Sequence, residues 1–220
     1  PPRSTLFPYT TLFRSVQPFS AAELASRVRL CQVRAQRDIN ANPLTGLPGN
    51  INIMREIQRR IEAGAPFAVA YFDLDHFKPF NDKYGFSRGD EVLRMTAHVI
   101  VNAVQDLPAK DCCVGHVGGD DFIIVMPPDT IETMCAKVIR HFDMIVPAFY
   151  DEEDRLRGEI HSVDRTGTPK IFPIMGISIA VVGSRASEIS HVTHVSARVA
   201  ELKLLAKAQA GSKYVVDRRR

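Results

Sequence analysis

The chain has 220 residues, 45% of them hydrophobic, which is enough for one folded domain with its own core and a short additional segment. Its formal net charge of +3 is too small to indicate a nucleic-acid-binding protein. No apolar run approaches the roughly 20 residues of a membrane span, and the four cysteines show no CxxC spacing typical of zinc sites. We therefore expect a cytoplasmic protein with reduced thiols that binds neither nucleic acid nor membranes.

Residues 1–15 differ in character from the rest of the chain. They read PPRSTLFPYTTLFRS, with Thr-Leu-Phe on both sides of a central Pro-Tyr-Thr. This near-mirror pattern resembles a translated sequencing adapter more than a natural segment. We interpret residues 1–15 as non-native or artefactual and exclude them from the fold prediction.

Residues 16–41 predict a helix and a linker. Ser20 followed by Glu23 forms a capping box before Leu24 and Val28, which lie at helical spacing. This segment resembles the last helix of a response-regulator receiver domain, with Gln17 in place of the lysine that commonly precedes Pro-Phe. The resemblance implies an upstream receiver domain or a histidine kinase as partner in the full-length protein. An ordinary amphipathic linker helix is the alternative interpretation.

From about residue 42 the pattern alternates between helices and strands. The predicted elements are a helix over 51–61, a strand over 67–72, a helix over 88–101, a hairpin over 114–126, a helix over 131–142, a strand over 172–182, a helix over 195–208 and a strand over 213–216. Between Tyr150 and Pro173 an Asp-Arg-Thr-Gly turn indicates an inserted hairpin.

The hairpin VGHVGGDDFIIVM places two carboxylates in a tight turn. Gly118 and Gly119 suit the positive φ angles of a two-residue turn, and the apolar run after them predicts a buried return strand. Asp120 and Asp121 repel each other unless water, a cation or a basic group takes up their charge. The hairpin is therefore either a metal site or a solvated turn.

A second acidic pair follows the first predicted strand in YFDLDHFKPFNDKYGFSRGDEVL. Asp73 and Asp75 are two residues apart, so on a strand they point to one face. Carboxylates at a strand end hold Mg²⁺ in many proteins, although a solvated strand end is the simpler interpretation. Downstream, Asn81 and Asp90 match the hydrogen-bonding edge of guanine, and Lys78 is suited to phosphate.

Three motifs together resemble the GGDEF family of diguanylate cyclases: NPLTGLPGN, FDLDHFKPFNDKYGFSRGDEVL and GHVGGDDF. The similarity assigns residues 42–220 to a GGDEF domain. It implies an α/β (α+β) fold in which helices flank an antiparallel, palm-like sheet of the nucleotide-cyclase or ferredoxin-like type. It also implies condensation of two GTP into cyclic di-GMP with release of two pyrophosphates, in a homodimer of facing half-sites.

The resemblance also implies roles for individual residues. For Mg²⁺ or Mn²⁺ the implied ligands are Asp73, Asp120 and the carbonyl group of Leu74. The implied catalytic residues are Asp73, Asp120, Asp121 and Lys78. The implied substrate-binding residues are Asn81 and Asp90 for guanine, Lys207 for phosphate, and Gly118, Gly119 and Phe77 beside the nucleotide.

Several positions depart from the family pattern. Asp121 replaces the glutamate of the GGDEF motif and is one methylene shorter. His116 and Asn42 replace an arginine and an aspartate that we expect to pair in the family, and Ser212 replaces a phosphate-side arginine. The joint loss of the charges at 42 and 116 leaves no unpaired buried charge. The shorter acid at 121 leaves open an alternative function, in which a catalytically impaired module binds GTP or cyclic di-GMP and signals through partners.

Overall fold

The computed structural model describes residues 20–108, 111–163, 168–183, 189 and 191–218, and for 31–39 and 163 it describes the backbone only. The predicted non-native residues 1–15 lie outside this range. The chain divides between Ile39 and Asn40 into two units. None of the described helices combines the length and the apolar character that crossing a membrane requires.

The first unit contains helix α1, Ala21–Ile39. The backbone N–H of Glu23 donates to the Ser20 hydroxyl oxygen at 3.1 Å, which confirms Ser20 as the N-cap. Leu24, Val28 and Leu30 are 47%, 48% and 51% exposed. The origin of this helix in a receiver domain stays a prediction.

The second unit is a sheet covered by helices on both faces. Its helices are α2 (Asn50–Ala63), α3 (Phe77–Tyr84), α4 (Phe86–Gln105), α5 (Ile131–Ile145), α6 (Glu152–Arg157) and α7 (Val192–Lys207). Its strands are β1 (Ala68–Asp75), β2 (Cys113–Gly118), β3 (Asp121–Met126), β4 (Glu159–Val163), β5 (Pro169–Pro173), β6 (Gly176–Gly183) and β7 (Lys213–Val216). Two short 3₁₀ turns cover Pro128–Thr130 and Val146–Phe149.

The main sheet has the strand order β2-β3-β1-β6-β7. All neighbouring strands are antiparallel except β6 and β7, which run parallel at one edge. The predicted α+β class with a palm-like sheet is confirmed. Strand β1 lies at the centre because its residues alternate between two apolar environments, so both of its faces can be buried.

Each face of the sheet has its own hydrophobic core. Phe72 and Leu74 of β1 point to the side covered by α4 and α5. Val69 points to the other side, where α2 and α7 pack, and half-buried Tyr71 lies against that second core. Since Asp73 and Asp75 continue the alternation of Val69 and Tyr71, they belong to the face that α7 covers.

Three local predictions need correction. The chain does not form one strand over 172–182, because β5 ends at Pro173 and β6 begins at Gly176. A proline has no N–H for the sheet, and β5 pairs with β4 in a separate two-stranded sheet. The first strand does not end at Phe72 but continues through Asp75. Helix α3 was not predicted, since its eight residues are few and include Pro79.

The inserted hairpin between Tyr150 and Pro173 is confirmed as β4 and β5. Its predicted Asp-Arg-Thr-Gly turn, residues 164–167, lies outside the described residues. The hydroxyl oxygen of Tyr150 accepts a hydrogen bond from the buried N–H of Met175 at 2.9 Å. That bond ties the start of the insertion to the point where the chain re-enters the main sheet.

Candidate active site

Three aspartates surround the point where β1 meets the tight hairpin. Asp73 of β1 is the register partner of Asp121, the first residue of β3. Asp120 precedes it in the turn, where Gly118 and Gly119 have φ angles of 149° and 58°. No neighbouring atom lies within 4 Å of a Cβ placed at either glycine, so backbone torsion rather than space requires them. The predicted two-residue hairpin is confirmed.

Two lysines of α7 reach these aspartates. Lys203 Nζ lies 2.7 Å from Asp73 Oδ2 and 2.9 Å from Asp121 Oδ1. Lys207 Nζ lies 2.6 Å from Asp73 Oδ1. Sequence reasoning found Lys207 and missed Lys203. Their spacing of four residues was the available signal, because it puts both ammonium groups on one helix face.

Tyr71 forms one side of the same cluster. Lys203 Nζ lies 4.4 Å from the centre of the Tyr71 ring, at the distance of a cation–π contact. Burial, together with the negative charge of Asp121, raises the pKa of Tyr71 to about 12. Tyr71 is therefore neutral at physiological pH and offers the lysine an aromatic face rather than a charge.

The aspartates of the cluster differ in charge compensation. Burial alone would raise the pKa of Asp73, but the ammonium groups of Lys203 and Lys207 hold it below its usual range. The pKa of Asp120 is raised by burial and then by the negative charge of Asp73. Asp73 is thus a stable carboxylate, whereas Asp120 carries a charge that its surroundings disfavour.

This arrangement fits a divalent cation whose coordination shell is completed by oxygen atoms of a substrate. Oδ1 of Asp73 is buried, and its contact among the described residues is the ion pair with Lys207 at 2.6 Å, a partner exposed enough to give way to a cation. Beyond Asp73, β1 pairs only with β6 among the described strands, so its edge at Leu74 has no strand partner on the hairpin side. Among the described residues, no group of three or more His, Cys, Asp or Glu side chains is placed so that it could hold a metal ion by itself. Two carboxylates with phosphate oxygens and water are, however, a usual Mg²⁺ environment.

The predicted guanine-reading residues lie on α3 and α4. Asn81 Oδ1 is buried and has no hydrogen-bond partner in the part of the chain that the structure describes. A Cβ placed at Gly89 would lie 1.9 Å from that oxygen, so the Asn81 carboxamide packs directly against the residue before Asp90. Asp90 is half-buried. The fold therefore brings these two predicted residues to one place.

Phe77 and Lys78 occupy the first turn of α3 in different environments. Phe77 is 8% exposed and belongs to the hydrophobic core. Lys78 is exposed, and the described part of the chain contains no ion pair for it. The core position accounts for the apolar side chain at 77, while the ammonium group of Lys78 is free to approach a ligand.

Asp75 has different interaction partners from Asp73. It accepts a hydrogen bond from Ser178 at 2.6 Å and pairs with Lys213 Nζ at 3.1 Å. With Lys207 and His76 it lines a cleft of about 580 Å³ beside the aspartate cluster. The two predicted acidic residues thus have different roles. Asp73 faces the hairpin, whereas Asp75 lies in the wall of the cleft, where Lys213 compensates its charge.

His116 connects the hairpin to the preceding loop. Its ring is buried and stacks on Phe122 with centroids 4.2 Å apart. Nε2 lies 2.9 Å from the Gly119 carbonyl oxygen, and Nδ1 lies 3.1 Å from Thr45 Oγ1. Because a carbonyl oxygen can only accept, Nε2 carries the proton and Nδ1 accepts from the hydroxyl group of Thr45. This neutral ring thus connects the hairpin turn to the loop that contains Thr45, without the charge of an arginine.

Asn42 stabilises the loop that contains Thr45, the hydrogen-bond partner of His116. Its side-chain Oδ1 accepts from the backbone N–H groups of Leu44 and Thr45 at 2.9 and 3.3 Å. Asn42 and His116 are therefore linked through Thr45. The two departures from the expected charged pair lie in one hydrogen-bonded network.

Comparison with known families places these residues in context. A family model described as "Diguanylate cyclase, GGDEF domain" matches residues 39–157. The match includes Asp73, Asn81, Asp90 and the hairpin, whereas Lys203 and Lys207 lie beyond its end.

Curated relatives are similar over part of the chain. Diguanylate cyclase DgcP from Pseudomonas aeruginosa is 30% identical over 95 residues, which cover 41% of this chain and 14% of DgcP. Diguanylate cyclase DgcZ from Escherichia coli is 26% identical over 165 residues, which cover 74% of this chain and 52% of DgcZ. The chain thus spans about half or less of the length of these relatives.

Solved structures share the fold. The coiled coil and GGDEF domain of DgcB from Caulobacter crescentus, in complex with c-di-GMP, matches with a TM-score of 0.61 at 20% identity, covering 89% of this chain and 95% of that one. Diguanylate cyclase SiaD from Pseudomonas aeruginosa, in complex with its activator SiaC, matches with a TM-score of 0.61 at 20% identity, covering 89% and 69%. At this identity the likeness concerns the fold.

Proposed function

Because the chain belongs to the GGDEF family, we propose that it is a diguanylate cyclase, which condenses two GTP molecules into cyclic di-GMP and releases two pyrophosphates. The observation that carries the proposal is the cluster at β1 and the hairpin. There buried Asp73 is ion-paired with Lys203 and Lys207 and lies beside the hairpin aspartates. Phosphoryl-type transfer depends on this kind of positioned charge rather than on a covalent protein intermediate.

Mg²⁺ or Mn²⁺ belongs to this proposal. The residues that would hold it are Asp73, Asp120 and the carbonyl group of Leu74. Bound there, the cation would offset the charge of the reacting phosphate. The raised pKa of Asp120 supports the assignment, because a carboxylate destabilised by burial and by Asp73 gains from a nearby cation.

The nucleotide is proposed to bind across the two sides of the site. Asn81 and Asp90 read the guanine base, since the buried Oδ1 of Asn81 has no hydrogen-bond partner among the described residues. Lys207 and Lys78 face the phosphates, and Gly118 and Gly119 leave the turn free of side chains beside the nucleotide. Adenine lacks the donor pair of guanine, so ATP would leave buried acceptors unpaired at a cost of about 1–3 kcal/mol.

The chemistry requires two copies of the site. Each 3′-hydroxyl group must attack the α-phosphate of the other nucleotide, so two half-sites face each other in a homodimer. The exposed apolar side chains of Leu24, Val28 and Leu30 support association through α1. An upstream receiver domain, or a histidine kinase acting on it, would supply the regulatory signal in the full-length protein.

The direct test is incubation of the purified protein with GTP and Mg²⁺, followed by separation of the products by ion-exchange chromatography. We expect cyclic di-GMP and pyrophosphate in a ratio of one to two, at a rate per chain that rises with protein concentration. Asp73→Asn is the matched control, because it keeps the shape of the side chain and removes its charge. Absence of product at every protein concentration would refute the cyclase.

The alternative is a module that binds GTP or cyclic di-GMP without turnover. One observation favours it: Asp121 replaces the family's glutamate and is engaged by Lys203 at 2.9 Å. Calorimetric titration with both nucleotides distinguishes the two functions. Tight binding without product formation would establish the module, whereas product formation establishes the enzyme.

A further inference from the structure

Lys203 is held on three sides within the aspartate cluster. Its ammonium group lies 2.7 Å from Asp73 Oδ2, 2.9 Å from Asp121 Oδ1 and 4.4 Å from the centre of the Tyr71 ring. Its side chain is 22% exposed, compared with 47% for Lys207. Because Asp73 and Asp121 are register partners on β1 and β3, Lys203 lies between two carboxylates that the sheet itself forces together.

Lys203 changes how many cations the cluster can accept. Three aspartates and two lysines leave one net negative formal charge among these side chains. A single divalent cation already exceeds that charge before the phosphates of a nucleotide are counted. A second divalent cation would have to approach Lys203 directly or displace it, and either would cost electrostatic free energy.

The available ligand atoms lead to the same result. Asp121 Oδ1 and Asp73 Oδ2 are both engaged by Lys203. Asp73 Oδ1 and Asp120 remain on the other side for a cation. Lys207 stands at that oxygen, but its more exposed side chain can withdraw into solvent or turn to a phosphate.

We propose that Lys203 takes the place of a second cation, so that the site binds one divalent cation per nucleotide. The inference rests on the proposed function, because the cation site is part of it. Lys203 is a positioning residue in this scheme: it fixes Asp73 and neutralises Asp121 on the side away from the cation. The shortened acid at position 121 then serves as a lysine partner rather than as a metal ligand.

Equilibrium dialysis with Mn²⁺ and a GTP analogue carrying an α,β-methylene bridge tests this inference without turnover. Mn²⁺ and nucleotide are both measured in the protein compartment. We expect one Mn²⁺ per bound nucleotide for the wild type and for Lys203→Arg, which keeps the charge. Lys203→Met should bind two, because it frees Asp121 and one oxygen of Asp73. Lys207→Met is the matched control and should remain at one.

Two Mn²⁺ per nucleotide in the wild type would overturn the inference while leaving the cyclase proposal intact. A folded Lys203→Met variant that stays at one, or a second Mn²⁺ in Lys207→Met, would also overturn it. If Lys203→Met does not fold, the wild-type and Lys203→Arg counts decide, since either one reaching two contradicts the proposal. Nucleotide bound without any Mn²⁺ is a different result, which would refute the proposed metal site itself.

Discussion

The carboxamide group of Asn81 on α3 packs against Gly89 on α4 so closely that a Cβ at Gly89 would lie 1.9 Å from Asn81 Oδ1. The two helices can approach at this point because position 89 has no side chain. The contact sets Asn81 beside Asp90, the next residue of α4. Gly89 thus contributes to the proposed guanine site only because it has no side chain.

Gly89→Ala should weaken binding of GTP by roughly tenfold, equivalent to the loss of one good hydrogen bond. The added methyl group pushes the Asn81 carboxamide out of place. Alanine favours the helix over glycine by about 1 kcal/mol, so global unfolding is not the expected cause. Calorimetric titration with the methylene-bridged GTP analogue measures the affinity, and thermal unfolding measures the stability.

Gly183→Ala is the control for this substitution, because no described atom lies within 4 Å of a Cβ at that position. It should leave the affinity for the analogue unchanged. Equal affinity in Gly89→Ala and wild type would contradict the close packing of Asn81.

Asp120→Asn and Asp121→Asn should have opposite effects on stability. The pKa of Asp120 is raised, so its charged form is disfavoured in the folded state, and the neutral amide should increase stability at pH 7. That gain should disappear as the pH falls below the usual carboxyl range near 3.8, where Asp120 is itself neutral. Asp121→Asn instead removes a partner of Lys203 and should decrease stability.

For Asp120→Asn, the expected change in cyclase activity is opposite to the expected change in stability. Asp120→Asn should lose roughly 100-fold or more of the cyclase rate, because it removes a proposed cation ligand. Chemical denaturation at pH 7 and at about pH 3, which is below the usual carboxyl value of 3.8, compares the stabilities. Product chromatography at pH 7 compares the activities. A destabilised Asp120→Asn protein would show that the Asp120 carboxylate is compensated in the folded state.

His116 should make the folded protein sensitive to mild acid. Burial lowers the pKa of His116, although its bond to the Gly119 carbonyl opposes this. The unfolded chain then takes up a proton near the ordinary value of 6.5, before the folded protein does. The stabilisation that neutral His116 contributes is therefore fully present above about pH 6.5. It decreases as the pH falls from there toward the lower pKa of the folded protein.

Urea denaturation at pH 7.5, 6.5 and 5.5 measures this dependence. The free energy of unfolding should fall less steeply with pH in His116→Gln than in the wild type, because glutamine does not titrate. His98→Gln, at an exposed position of α4, serves as the control and should keep the wild-type slope. Identical slopes in all three proteins would contradict the buried neutral ring.

Asp154 should stabilise the insertion against α3. Burial alone would raise the pKa of Asp154, but hydrogen bonds from Lys83, Tyr84 and Arg157 lower it to about 2. Its contribution is present above the usual carboxyl pKa of 3.8 and is lost as the pH falls through about 2. Asp154→Asn should cost about 1–3 kcal/mol at pH 7, measured by urea denaturation.

Glu153→Gln is the neighbouring control for Asp154→Asn, because its carboxylate is 84% exposed. Exposed ion pairs contribute little to stability, so this variant should unfold with the wild type. If both variants unfold at the same urea concentration, the buried network of Asp154 does not stabilise the fold.

The elements that the sequence predicted correctly are those with strong local signals. The hairpin follows from two glycines at positive φ between apolar runs, and α5 follows from its helical periodicity. The predictions failed where local signals conflict with pairing. The apolar run over 172–182 looks continuous, but the structure divides it because Pro173 belongs to the β4–β5 hairpin and Gly176 begins a strand beside β1.

The sequence by itself determined the family, the strand that carries Asp73, the turn that carries Asp120, and the candidates Asn81 and Asp90, because each lies within a short motif. Tertiary structure alone decided which charges meet. Lys203 contacts Asp121 across 82 positions of the chain, and this pairing depends on the β1–β3 register and on the packing of α7 over the sheet. The four-residue spacing of Lys203 and Lys207 places both on one face of α7, but only the long-range packing of that helix on the sheet shows that Lys203 lies between the two aspartates.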